Sequence, residues 1–169
     1  MISNVYADTT TSALASLRDT YGGWPLEPPW GWAATFAFER RHGVVLPEPY
    51  RSFVAEVGAG GRFCGPPRYG LQKPDEGAPR RPGALARTFP LVARHEWQGG
   101  PANDPLAVDD GLLQLGTDGC DANWFLVVTG PARGTVWFID DTAASPALRG
   151  SSNFADWVAD WNGGPKPFR

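Results

Sequence analysis

The stretch LVVTGPARGTVWFID, Leu126 to Asp140, sets a glycine-bearing turn with one arginine between two apolar runs. Glycine and arginine together are what a phosphate-holding loop requires: backbone N–H groups open to an anion, and a cation beside them. The spacing argues against that chemistry. A Walker loop carries Gly-Lys-Ser or Gly-Lys-Thr after four intervening residues and opens a helix. Gly134 instead leads straight into Thr135-Val136-Trp137, a β-branched and aromatic run suited to a strand. The dinucleotide fingerprint fails for the same reason. A hairpin loop from Gly130 to Gly134, with Pro131 in the turn, explains these residues, and Arg133 becomes an exposed loop-tip side chain.

Other reactive residues are sparse. The two cysteines, Cys64 and Cys120, and the two histidines, His42 and His95, are not at paired ligand spacing, so neither a metal nor another cofactor is expected. The cysteines read as small core residues. A Cys120/His95 nucleophilic pair stays an open alternative, because such partners meet in space and not in sequence. No Gly-x-Ser-x-Gly elbow occurs. The aspartate pairs Asp109-Asp110 and Asp140-Asp141 resemble acid and base couples, but adjacent residues on a strand point to opposite faces. No convergent catalytic set emerges, and the expectation is a protein that is not an enzyme.

Charge is more informative. Residues 1–101 hold nine acidic and eleven basic side chains, a balance of +2, whereas residues 102–169 hold nine acidic and four basic, a balance of −5. Every acid in the second part is aspartate. This argues against direct nucleic-acid binding through that part. It fits a surface that attracts a basic partner, with ordinary solvated loop aspartates as the plain alternative.

The elements that position these residues follow from periodicity. Leu14, Leu17 and Tyr21 share a helical face over Ser12 to Tyr21, with Gly22-Gly23 as the stop. Trp24 to Trp32 (WPLEPPWGW) holds three prolines and reads as an extended segment, its tryptophans core or contact. Ala33 to His42 is a second helix. Leu46-Pro47-Glu48-Pro49 opens a third, whose stripe is Tyr50, Phe53, Val54 and Val57. Arg62-Phe63-Cys64, Tyr69-Gly70-Leu71 and Phe89 to Ala93 are short strand candidates, and Lys73 to Arg87 is a surface loop whose Arg80-Arg81 is solvated or forms an ionic patch. Leu112–Leu115, Asn123–Thr129 and Thr135–Asp140 are the firm strands. Asn153 caps a last helix bearing Phe154, Trp157, Val158 and Trp161. Helices, then strands, then a helix predict one α+β domain, 1–169, with a mainly antiparallel sheet. The hairpin strands are apolar on both faces, so long loops, the last helix or a partner must cover the second face.

With 8 Trp, 9 Phe and only 20% charged residues, the chain has the composition of a globular domain and not of a disordered one. No run of 18 apolar residues exists, and MISNVYADTTTS is not a secretory leader, so a cytoplasmic protein without membrane association is expected.

Over roughly residues 30–161 the chain resembles the SUKH superfamily, which includes the yeast cell-wall-assembly regulator and many immunity proteins of bacterial polymorphic toxin systems. The resemblance rests on Phe38-Glu39, Leu46-Pro47, Tyr50, Phe53 and the glycines from Gly58 to Gly61. It continues with Asp118-Gly119, the strand Trp124 to Thr129, Gly134, Val136 to Asp140, and Phe154 with Trp157. It implies an α+β sheet with packed helices. It also implies a binding protein that neutralises a cognate toxin, often nucleic-acid-directed, by occluding its cleft. The alternative it implies is a regulatory or scaffold module. It supplies no fixed contact motif. The contact residues expected from charge and loop placement are Asp109, Asp110, Asp118, Asp121, Asp140 and Asp141, with Trp97 as aromatic anchor. A monomer is favoured.

Overall fold

In the computed structural model, residues 2–61, 67–92, 109–119, 122–140 and 148–163 are described. The order is α1 (Ile2–Tyr21), α2 (Gly31–His42), α3 (Tyr50–Glu56), α4 (Pro74–Gly77), a 3-10 turn (Ala84–Ala86), β1 (Leu112–Gly119), β2 (Ala122–Val127), β3 (Val136–Asp140), β4 (Leu148–Ser151) and α5 (Phe154–Gly163). The four strands form one antiparallel sheet in chain order. The fold is α+β, with helices before and after the strands.

Local chemistry starts α3 and α5 where the sequence places them. The Glu48 carboxylate accepts the Ser52 N–H at 3.2 Å, satisfying a donor that the first turn of α3 leaves free. At α5, Asn153 Oδ1 accepts the Asp156 N–H at 3.0 Å, while its amide donates to the Asp156 carboxylate at 2.7 Å. The link between α2 and α3 is held by Glu39, a buried carboxylate. It accepts the Leu46 N–H at 2.9 Å and both arms of Arg51, at 2.8 and 2.9 Å. A two-armed pair of this kind fixes orientation as well as charge. These hydrogen bonds, against the opposing effect of burial, hold the Arg51 guanidinium above its ordinary pKa.

Alternation along the strands divides the core in two. Leu113, Leu115, Trp124, Leu126, Val128 and Val136 face Leu14, Leu17 and Tyr21 of α1, Phe53 and Val54 of α3, and Phe154, Trp157 and Val158 of α5. Leu112, Val127, Trp137 and Ile139 face the other way and meet Phe89 and Ala132, with Leu91 and Phe125 half-buried beside them. Phe89 stands edge-on to Trp137 at 5.1 Å. The chain thus covers the second face of its own hairpin with the segment around Phe89.

That segment corrects one expectation. Residues 89–92 are not a strand; Ala93 lies outside the described residues. The Phe89 N–H reaches the Thr129 carbonyl at 2.8 Å, but no ladder follows. The approach is close enough that a Cβ at Gly130 (φ 134°) would strike the Phe89 carbonyl, and one at Gly111 (φ 71°) the Thr129 carbonyl. Other differences are local. α1 begins ten residues earlier than expected. α2 begins at Gly31, so Trp32 is helical. Leu71 makes one isolated bridge, to Gly61, and not a strand. The 73–87 loop carries α4 and the 3-10 turn and packs against β1, with Gly77 against the Gln114 carbonyl. β4 was not expected at all. Arg62-Phe63-Cys64 and the Trp161 side chain lie outside the described residues.

Gly111→Ala is expected to cost about 3 kcal/mol, combining a strained φ with a backbone collision. Gly23→Ala, which meets nothing within 4 Å, serves as the neutral control. Urea denaturation of the two variants checks this. In the same assay Glu39→Ala should cost about 3 kcal/mol, since it strands a half-buried cation and a buried N–H. Glu39→Gln, which can still accept the Leu46 N–H, should cost less.

Candidate functional site

Asp109 and Asp110 sit just before β1, and Asp118 near its far end. Asp118 lies eight residue steps beyond Asp110, about 26 Å at full extension. Asp140 ends β3 opposite Ala122, which itself pairs with Gly119, so its backbone lies at Asp118's end of the sheet. The described members of the expected set therefore lie at two ends of the sheet. Trp97, Asp121, Asp141 and the Asp140 side chain lie outside the described residues.

Two of these carboxylates have structural work. Asp110 accepts from Arg81, and from Arg87 Nε at 3.0 Å; Arg87 also donates to the Pro82 carbonyl at 3.0 Å. This ties the 80–87 loop to the start of β1. Arg81, read from the sequence as solvated or part of an ionic patch, is thus engaged within the chain. Asp118 accepts the Arg68 backbone N–H at 2.8 Å and the Trp124 indole N–H at 3.0 Å. It fixes a tryptophan that is itself 1% exposed.

Asp109 is different. It is an exposed residue, yet it lines a polar pocket of about 510 Å³. Glu76, Arg80, Arg81, Gln114, Asn123 and Phe125 also line this pocket. Partial loss of hydration raises the Asp109 carboxyl above its ordinary value of 3.8; Arg81 opposes the shift and Asp110 adds to it. The Gln114 amide donates to Asn123 Oδ1 at 2.8 Å on the pocket floor. Sequence reasoning missed this pocket. Its signal was the pair of polar residues, Gln114 and Asn123, interrupting strands otherwise apolar on both faces.

A second, larger groove of about 840 Å³ lies between α1, α5 and the α2–α3 link. Small residues of the helices (Ser12, Ala13, Ser16, Ala155, Ala159) wall it, and Leu46 and Pro49 are among its lining residues. Arg133, from the hairpin turn, lines it too and donates to the Val45 carbonyl at 2.8 Å. The Gly130–Gly134 turn is a hairpin loop whose arginine braces the α2–α3 link. His42 packs against Phe38 in a tilted arrangement, ring centroids 4.4 Å apart, and burial, helped by Arg41, lowers its pKa. Cys64, Cys120 and His95 lie outside the described residues. Among the described residues no three His, Cys, Asp or Glu side chains gather as metal ligands. Likewise no described helix is long and apolar enough to cross a membrane.

Because the folded-state pKa of Asp109 is raised, the folded protein binds the proton more tightly than the unfolded chain. Stability therefore falls as pH rises from 3.8 through the raised value, and stays lower above it. Asp109→Asn should accordingly be more stable than the parent at pH 7 and gain nothing at pH 3, as read from urea midpoints at the two pH values.

Compared with models of protein families, with curated proteins and with solved structures, the chain matches none.

Proposed function

We propose that this chain is a SUKH-type immunity protein that acts in the cytoplasm, binding a cognate toxin domain and blocking its active cleft or substrate groove without chemistry of its own. One observation carries the reading. The residues behind the family resemblance are bound up in the scaffold: Glu39 holds Leu46 and Arg51, and Asp118 holds Arg68 and Trp124. A scaffold fixed in this way leaves the surface free to differ from one partner to the next. The acidic balance of residues 102–169 supplies the attraction. A nuclease cleft is basic because it binds phosphates, and an aspartate-bearing surface speeds its encounter. Of Asp109, Asp110 and Asp118, Asp109, beside its polar pocket, is the one not used in the scaffold hydrogen bonds described above.

A regulatory or scaffold module is the second reading. The groove between α1 and α5 favours it, since small residues along its walls leave room for a peptide.

Co-expression with the toxin domain encoded beside this chain tests the proposal. Rescue of growth and a stable complex are expected; a toxin that still kills, with no complex formed, overturns it. Reversing Asp109 and Asp121 to Lys, which leaves the structural Asp110 and Asp118 intact, should slow association about tenfold at low salt and less at high salt. Stopped-flow mixing measures it.

A further inference from the structure

The polar pocket beside β1 is lined by two opposite charges that the fold leaves unused. Of its four charged lining residues, two are spent within the chain: Arg81 on Asp110, and Glu76 on Lys73 at 3.5 Å. Asp109 and Arg80 are exposed and make no hydrogen bond or ion pair among the described residues. On the floor, the Gln114 amide gives its N–H to Asn123 Oδ1, and Gln114 Oε1 has no partner among the described residues. Half-buried Phe125 and Pro79 give the same space an apolar side. The loop that closes the pocket lies directly on β1, since a Cβ at Gly77 would strike the Gln114 carbonyl. A volume of about 510 Å³ falls within the roughly 300–1,000 Å³ of small-molecule sites.

We propose that this pocket binds a free α-amino acid with a neutral, apolar side chain. The ammonium group donates to the Asp109 carboxylate and to Gln114 Oε1, and the ligand's carboxylate accepts from the Arg80 guanidinium. Its side chain lies against Phe125 and Pro79. Charge-assisted hydrogen bonds at both ends fix the orientation. A simple cation would satisfy Asp109 and Gln114 but meet Arg80 with like charge, and a simple anion would meet Asp109 in the same way. A zwitterion carries both charges on neighbouring atoms and answers both. With hydrogen bonds of about 2.9 Å at each end it reaches about 9 Å, and a sphere of the pocket's volume is about 10 Å across. An acidic or basic side chain gains no partner here, because Arg81 and Glu76 are already paired. Partial loss of hydration at Asp109 strengthens its pull on an ammonium group. The site needs only the pocket and is independent of toxin binding.

NMR titration with L-leucine and L-phenylalanine up to about 20 mM tests it, read from the side-chain amide signals of Gln114 and Asn123. At least one of the two should shift both signals, with a Kd on the order of 1 mM. The amide of that amino acid, which lacks the carboxylate, and its N-acetyl derivative, which lacks the ammonium group, should each bind about tenfold more weakly or worse. Asp109→Asn and Arg80→Gln, each confirmed folded by thermal melts, should weaken the amino acid about tenfold. Arg80→Gln should leave the weaker binding of the amide derivative unchanged. Absence of binding by either amino acid overturns the proposal, as does binding that survives both substitutions. If the amide derivative binds as tightly as the amino acid, the pocket is a seat for a lone cation; if the N-acetyl derivative does, it is an anion site. Either result equally overturns the proposal.

Discussion

The buried carboxylate of Glu39 is the constraint on which the helical layer depends. A charge removed from water is tolerable only when its lone pairs are filled, and here the partners come from two places. Leu46, through its backbone, is the entry to α3; Arg51 is on α3 itself. Satisfying one side chain of α2 therefore sets the path of the connecting link and the angle of the next helix. Arg51 is used twice, edge-on by Glu39 and face-on by Trp32 and Phe36. A lysine could not fill both roles, since it lacks the planar fork and the flat face.

The sheet presents a second constraint, apolar side chains on both faces. Helices satisfy one. Among the described residues the other is covered by the segment around Phe89, which lies flat because Gly111 and Gly130 carry no side chain, and by the loop that bears α4. Aspartates then secure the margins: Asp110 clamps the 80–87 loop at one end of β1, and Asp118 secures Trp124 at the other. Carboxylates that look like contact residues by charge are in these two cases partly committed to holding the scaffold.

Much of this was legible in the sequence where a local rule was sufficient. Asn153 with Asp156, Glu48 ahead of Ser52, and the alternation of Trp124 to Ile139 each specify structure within a few residues. What was not legible depended on distant partners. β4, with the sequence Leu-Arg-Gly-Ser, has no alternation of its own and exists by pairing with β3. Phe89 reads as part of a strand by composition, yet Gly111 and Gly130 shape its path, and nothing adjacent to Phe89 announces them. The separation of Asp109 from Asp118 across the sheet follows from the length of β1, which runs four residues beyond its apolar part. The polar pocket beside Asp109 requires the 76–81 loop to fold over β1 and β2, a contact with no local code.

The brace from Arg133 to the Val45 carbonyl joins residues 88 apart, and the helices of the first third find their sheet only beyond residue 112. At ordinary ribosomal speeds of roughly 5–20 residues per second, about 4 to 16 s separate the synthesis of α3 from that of the hairpin that completes its environment. During that interval Leu17, Tyr21, Phe53 and Val54 have no sheet to pack against. The nascent chain is thus at its most vulnerable midway through synthesis, and the hairpin turn, by closing on the α2–α3 link, marks the end of that exposure.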